Sequence, residues 1–243
     1  MNYKEAGPTT KIALCAANYV GHEIASFVAH YPFKIEFAAT CHTDDSIYEK
    51  EIASVCDAAS IECFRNVNVN EASFIDLLKQ RGIDIVILAW WPTIVKTAAL
   101  SAVNIGWINH HNSLLPHNRG KHPYYWSIVE NRPYGVTLHL IDENIDEGQI
   151  LIQKELPVSI MDTGESIYGS SIRAIIQLFK DFYPRIVSGD IQPIDRSEEP
   201  GSFHWAREIE EHSCIDLDAQ YKAIELINII RARTFTNGNS AYF

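Results

Sequence analysis

Short apolar runs alternate with amphipathic stretches through the first half of the chain. Residues 11–17 (KIALCAA) are apolar enough for a buried strand, and 21–30 (GHEIASFVAH) have helical spacing. A second strand is predicted over 33–43 and a second helix over 45–58, opened by Asp45 as a cap. A short strand at 61–67 follows. The helix at 70–81 (NEASFIDLLKQR) then ends at Gly82, a suitable C-cap. Residues 84–89 (DIVILA) form the most apolar strand. Such β–α alternation predicts an α/β, Rossmann-like, mostly parallel sheet with helices on both faces.

The pattern then changes. A strand at 103–111 runs into a polar segment, SLLPHNRGKHP, and a short helix at 124–130. Two alternating strands, 134–141 and 149–156, flank the loop DENIDEG. The strongest amphipathic pattern lies at 164–188. After it, GDIQPIDRSEEPGSF is rich in Pro, Gly and charge and reads as a linker or extended excursion. A last helix is expected at 219–233. The organisation expected is a catalytic domain over 1–190 and a small C-terminal extension over 191–243, comprising linker, helix and possible hairpin.

Composition narrows the function classes. The 243 residues carry a net charge of −11 with 47% hydrophobic residues, as expected of a soluble globular chain. So acidic a chain does not suit a nucleic-acid partner, because phosphate binding needs clustered Lys and Arg. No apolar run is long enough to span a bilayer, and no secretory signal is read at the N-terminus. The 5 cysteines are scattered and never in a CxxC pair, so reduced thiols in a cytoplasmic protein are expected, not a disulfide framework or zinc ribbon.

Functional side chains are densest between Asn109 and Asp146. Along a strand, Asn109 and His111 point one way and His110 the other. The carboxyl end of such a strand is where α/β folds bind ligands. An amide can donate to an oxyanion, and an imidazole can donate or move a proton. Asp146 is the candidate carboxylate to orient the imidazole. Turn capping by Asn and His is the competing reading. His110, His111, His117, His122 and His139 raise the question of a metal, but their spacing matches no ligand signature and no metal is expected. Ser113 lies outside any nucleophile elbow.

The string Asn109-x-His111-x-Ser113-Leu114-Leu115-Pro116, then Arg119-Gly120, Pro123-x-x-Trp126, Gly135-Val136-Thr137-x-His139 and Asp146-x-Gly148-x-Ile150 resembles the N10-formyltetrahydrofolate-dependent formyltransferases. The resemblance implies that Asn109 holds the formyl oxygen and that His111 acts with it as base or oxyanion donor. Asp146 would then orient His111 and pass a proton towards the leaving folate nitrogen. It also implies a pterin pocket from Trp90, Trp91, Pro92, Thr93 and Ile94 and from the loop with Asp142 and Asn144. One of the two tryptophans is expected in the core, since chain neighbours point in opposite directions.

The formylated amine is read by comparison within that family. The segment at 16–23 lacks the Gly-Ser-Asn phosphate loop of the glycinamide ribonucleotide enzymes, and the acidic chain lacks the basic β domain of the tRNA enzymes. Trp90-Trp91-Pro92, residues 118–123 and the stretch 215–235 resemble the branch that formylates nucleotide-linked amino sugars. That implies a dTDP-4-amino-4,6-dideoxyhexose acceptor and a formamido sugar for O-antigen or other surface polysaccharide. GDP-perosamine or another nucleotide amino sugar is the alternative acceptor, and a formyltetrahydrofolate hydrolase the alternative activity. Asn18, Tyr19, Arg119, Lys121, Tyr124, Tyr221 and Arg231 are the candidate sugar-nucleotide contacts, each also readable as a surface or packing residue. A homodimer is implied by the resemblance.

Overall fold

A computed structural model of the chain describes residues 10–33, 35–41, 47–194, 199–236 and 240–243. The first strand, β1 (Ile12–Ala16), is buried throughout, and its side chains divide by parity between two apolar cores. Ile12, Leu14 and Ala16 face one core, Ala13 and Cys15 the other. That two-sided burial is why the strand reads as a continuous apolar run.

The elements that follow are α1 (Asn18–Ala29), β2 (Phe37–Ala39), α2 (Glu49–Ala58), β3 (Cys63–Phe64), α3 (Ala72–Arg81) and β4 (Ile85–Ala89). Then come α4 (Thr97–Leu100), β5 (Gly106–His111), β6 (Arg119–Gly120), α5 (Pro123–Val129), β7 (Tyr134–Leu140) and β8 (Ile150–Leu156). The chain closes with α6 (Gly164–Ser188), β9 (Phe203–His204), α7 (Glu208–Ser213) and α8 (Ala223–Ala232). Seven strands form one sheet in the order β3-β2-β1-β4-β5-β7-β8. The first five run parallel; β7 and β8 are antiparallel to their neighbours. The α/β reading with a mostly parallel, Rossmann-like sheet therefore holds. Helices α1, α2 and α6 cover one face, and α3 and α4 the other.

Several boundaries differ from those expected. Helix α1 begins at Asn18, not residue 21, and α8 begins at Ala223, not 219. The strands expected at 33–43 and 61–67 shorten to β2 and β3, because apolar residues continue past the ladder into packed loops. Asp45, the expected cap of α2, lies outside the described residues, and the helix starts at Glu49. By contrast α6 spans 164–188 as read, with a Thr163–Ser166 capping box and Gly189 in the left-handed region as its stop. The excursion after α6 is not a free linker. Its last residues form β9, which pairs in parallel with β6 as a second, two-stranded sheet. Near the C-terminus the described residues include an isolated parallel bridge, Cys214 to Tyr242.

Candidate functional site

The sheet order reverses direction between β1 and β4, so the crevice at their carboxyl ends is the topological switch point. Asn18 and Tyr19 follow β1, and Trp90 and Trp91 follow β4. On the next strand, Asn109 is in register with Leu88. Asn109 and His111 share one face of β5 while His110 turns to the other, where its Nδ1 bonds the Leu88 carbonyl at 2.8 Å.

The antiparallel neighbour β7 places His139 directly opposite Asn109. Asn109 Nδ2 lies 3.2 Å from His139 Nε2, and His139 Nδ1 lies 3.1 Å from the Leu140 carbonyl. Burial pushes the His139 imidazole down to about 4, although the Asp146 charge opposes the shift. The neutral ring thus donates from Nδ1 to Leu140 and accepts the Asn109 amide at Nε2. This fixes the carboxamide orientation. Among the described residues, the second Asn109 amide hydrogen has no partner, and the residue is half-buried.

The loop after β7 folds back to bring Asp146 to the same place. Its tight return needs Gly148, where any Cβ would run into the Leu140 carbonyl oxygen. Asp146 Oδ2 lies 3.6 Å from His111 Nδ1 and accepts the Gly120 N–H at 2.9 Å; Oδ1 lies 3.6 Å from His139 Nε2. Burial raises the Asp146 carboxyl, but the His111 and His139 imidazoles, the Gly120 N–H and Lys121 outweigh it and hold the group below the usual carboxylate range. His111 Nε2 faces the Asn118 carbonyl at 3.3 Å, so both ring nitrogens look onto acceptors. Among the described residues, Asn18, Trp90, Asn118, His122 and Asp146 are five of the eight non-glycine residues with left-handed φ, a concentration of backbone strain around the site.

The trio expected from the sequence, Asn109, His111 and Asp146, is therefore brought together. His139, Asn118 and the Gly120 amide join it without having been assigned a role. His139 could have been found from the parity of β7, but only with knowledge that β5 and β7 pair antiparallel. Trp90 packs against one core and Trp91 against the other; both stay half-buried. Trp91 donates to Thr93 Oγ1, Pro92 is exposed, and Ile94 is 71% exposed. Asp142 accepts the Asn144 amide at 2.8 Å in an exposed turn.

The residues suggested for the sugar nucleotide are dispersed. Asn18 accepts the Ile47 amide, and the Tyr19 ring is exposed beside Tyr48. Arg119 pairs with Glu147 and lies over the Phe203 ring. Lys121 is exposed, while Tyr124 packs with Tyr168 and Phe235. Two suggestions meet other partners. The Arg231 guanidinium donates to the Ser159 and Asp162 carbonyls at 2.8 Å each and to Asn228, which clamps α8 to the loop before α6. The Tyr221 hydroxyl accepts the Asp216 amide. None of these contacts is with the trio.

The described residues include no group of three or more His, Cys, Asp or Glu placed to hold a metal, and no helix long and apolar enough to cross a membrane.

Comparison with known proteins shows the family and the fold. Residues 31–177 match the family model described as formyl transferase, and residues 208–243 match an N-formyltransferase dimerization C-terminal domain. The bifunctional polymyxin resistance protein ArnA of Wigglesworthia glossinidia brevipalpis is 28% identical over 229 residues, which is 92% of this chain and 34% of that protein. The chain thus spans about a third of that curated relative. A 4-N formyltransferase from Francisella tularensis superposes with TM-score 0.78 at 22% identity, covering 96% of this chain and 92% of its own. The N-formyltransferase of Helicobacter canadensis, solved with folinic acid and dTDP-3-aminofucose, superposes with TM-score 0.72 at 22% identity, covering 94% and 82%. At that identity the two structures establish the fold.

Proposed function

The chain belongs to the formyl transferase family, and from that premise we propose that it moves a formyl group from N10-formyltetrahydrofolate to the amine of a nucleotide-linked amino sugar. The acceptor we favour is a dTDP-4-amino-4,6-dideoxyhexose, giving a formamido sugar for surface polysaccharide. The observation that carries the reading is the convergence of Asn109, His111 and Asp146, with His139 orienting the amide. The two structural neighbours support the acceptor class, one being a 4-N formyltransferase and the other holding a dTDP amino sugar.

The residues present fit a reduced folate. Trp90 and Trp91, half-buried after β4 on the strand beside that of Asn109, and the exposed Ile94 and Ile145 supply apolar surface of the kind a pterin face needs, and the exposed 142–145 turn offers backbone donors and acceptors. The folate supplies the formyl carbon. The amine nitrogen forms a bond to that carbon, and the carbonyl electron pair moves onto oxygen, where the free Asn109 amide hydrogen meets it. The attacking nitrogen becomes cationic and sheds a proton through His111 and Asp146. Collapse would return the oxygen's electron pair to the carbonyl as the C–N10 bond breaks, and the proton held by His111 and Asp146 would pass to the leaving nitrogen. On this reading residues 1–190 carry the chemistry and 191–243 the extension. A second copy of the chain would cover the stripe on α8 where Ile224, Ile227 and Ile230 are 49%, 49% and 48% exposed, in the segment matching a dimerization domain. Sedimentation of Ile227→Asp as a monomer, against a wild-type dimer, tests that part.

The deciding experiment incubates the protein with N10-formyltetrahydrofolate and a panel of nucleotide 4-amino sugars, reading gain of one formyl group by mass spectrometry. Formate release that does not depend on acceptor would instead make the protein a hydrolase.

A further inference from the structure

The segment 199–204 lies along the polar loop 116–121 and is bonded to it through Glu199, Ser202 and His204. Ser202 N–H donates to the Pro116 carbonyl, Arg119 N–H to the Ser202 carbonyl at 3.0 Å, and Lys121 N–H to the His204 carbonyl at 3.0 Å. The two strands approach so closely that a Cβ at Gly120, whose φ is +87°, would run into the His204 carbonyl oxygen. Both ends of the segment are pinned. His117 Nε2 lies 3.2 Å from Glu199, and the His204 ring stacks on Trp126 at 3.9 Å with Glu130 and Glu208 each 3.2 Å from its nitrogens.

At the centre of this strap, the Ser202 hydroxyl accepts the Asn118 N–H at 2.9 Å and donates to Asn118 Oδ1 at 2.9 Å. Asn118 is fully buried in a left-handed conformation, with φ of 53°. That conformation is uncommon for residues other than glycine and persists only where surrounding groups over-determine it. Ser202 holds both the backbone and the side chain of Asn118. The Asn118 carbonyl is the group that faces His111 Nε2, and two residues on the Gly120 N–H donates to Asp146.

We propose that Ser202 is a positioning residue for the His111–Asp146 pair, acting through Asn118. The proposal rests on the functional reading above for its kinetic consequence, but not for its geometric one. Ser202 touches neither reacting group. With an alanine in its place, the buried Asn118 amide and side-chain carbonyl lose their partner. The backbone then relaxes, the carbonyl turns from Nε2, and the His111 ring loses one of its two fixed neighbours.

The test compares full-length wild type, Ser202→Ala, Ser202→Thr and Asn118→Gly, with thermal unfolding confirming that each is folded. Ser202→Ala should lower kcat about 10- to 100-fold, the scale of a small misplacement of reacting groups, with KM for both substrates within about twofold. Ser202→Thr keeps the hydroxyl and should recover most of the loss. Adding Ser202→Ala to Asn118→Gly should cost much less than it does alone, because the route through the Asn118 side chain is already gone. Independently of turnover, long-range 1H–15N spectra at fixed pH should show the His111 ring resonances displaced in Ser202→Ala while exposed His30 stays put. Unmoved His111 resonances in a folded Ser202→Ala protein overturn the proposal. So does an equal loss of kcat in the alanine and threonine variants. If wild type formylates no amino sugar, the ring spectra still decide the question, so the two readings fail separately.

Discussion

Replacing Asp146 by Asn keeps the side-chain volume and removes one charge at the centre of the site. The carboxylate is 11% exposed, with Oδ2 on the Gly120 N–H and Oδ1 towards His139. An amide there must keep its oxygen on Gly120, because an NH2 group cannot meet an N–H donor. Its nitrogen then faces His139 Nε2 and competes with Asn109 for that lone pair. The substitution therefore weakens two things together, the hold on His111 and the orientation of the Asn109 amide. The charge term follows from the 3.6 Å separation of Asp146 and His111. At an effective dielectric constant of ~20, the carboxylate and the imidazolium formed when His111 takes the amine's proton interact at that distance by about 4 to 5 kcal/mol. Retained hydrogen bonding and relaxation leave about 3 to 4 kcal/mol, a fall in kcat of roughly 200- to 1,000-fold. The assay is initial-rate formyl transfer at saturating folate and amino sugar, followed by mass spectrometry, with circular dichroism and thermal unfolding as controls for folding. A folded Asp146→Asn protein within threefold of wild-type kcat would refute the reasoning.

Gly148→Ala should displace the 142–148 loop, because its Cβ meets the Leu140 carbonyl; a stability loss of about 2 kcal/mol or more in urea unfolding and near-complete loss of turnover are expected. Stability should also fall with acid before the carboxylates titrate. Burial holds His110 and His139 at about 4 in the folded protein, the Leu88 carbonyl opposing it for His110 and Asp146 for His139, against 6.5 for an unperturbed imidazole. Between those values the unfolded chain binds the extra protons, so stability is fully present above pH ~6.5 and declines as pH falls, by up to about 1.4 kcal/mol per pH unit for each ring. Asp146, whose folded value is depressed, adds a contribution present above its ordinary range and lost as pH drops through the folded value. Tm measured from pH 7 to pH 5 should fall accordingly, and His110→Gln, which can still donate to the Leu88 carbonyl, should remove about half of the slope. A flat Tm over that interval would contradict the neutral state of both rings.

Local pattern carried much of this molecule. The apolar runs at 11–17 and 84–89, the C-cap at Gly82 and the helix over 164–188 are legible because side-chain parity, helical period and capping chemistry act over a few residues. The same parity put Asn109 and His111 on one face of β5, and the motif string from Asn109 to Ile150 resembles the formyltransferases, the family that residues 31–177 match. Other features depend on which distant segments pair, and no short window contains that information. His139 meets Asn109 because β7 returns antiparallel to β5, and Asp146 arrives because Gly148 lets its loop fold flat against Leu140. The Pro- and Gly-rich stretch at 189–203 reads as a linker because its own residues have no periodicity. Its role as a strap comes from backbone bonds to a loop more than 80 residues earlier. Arg231 reads in the sequence as a sugar-nucleotide contact or a packing residue, and its guanidinium is taken up by two carbonyls across the α8 contact. Residue type sets which interactions a group can make; chain closure in three dimensions decides which of them it does.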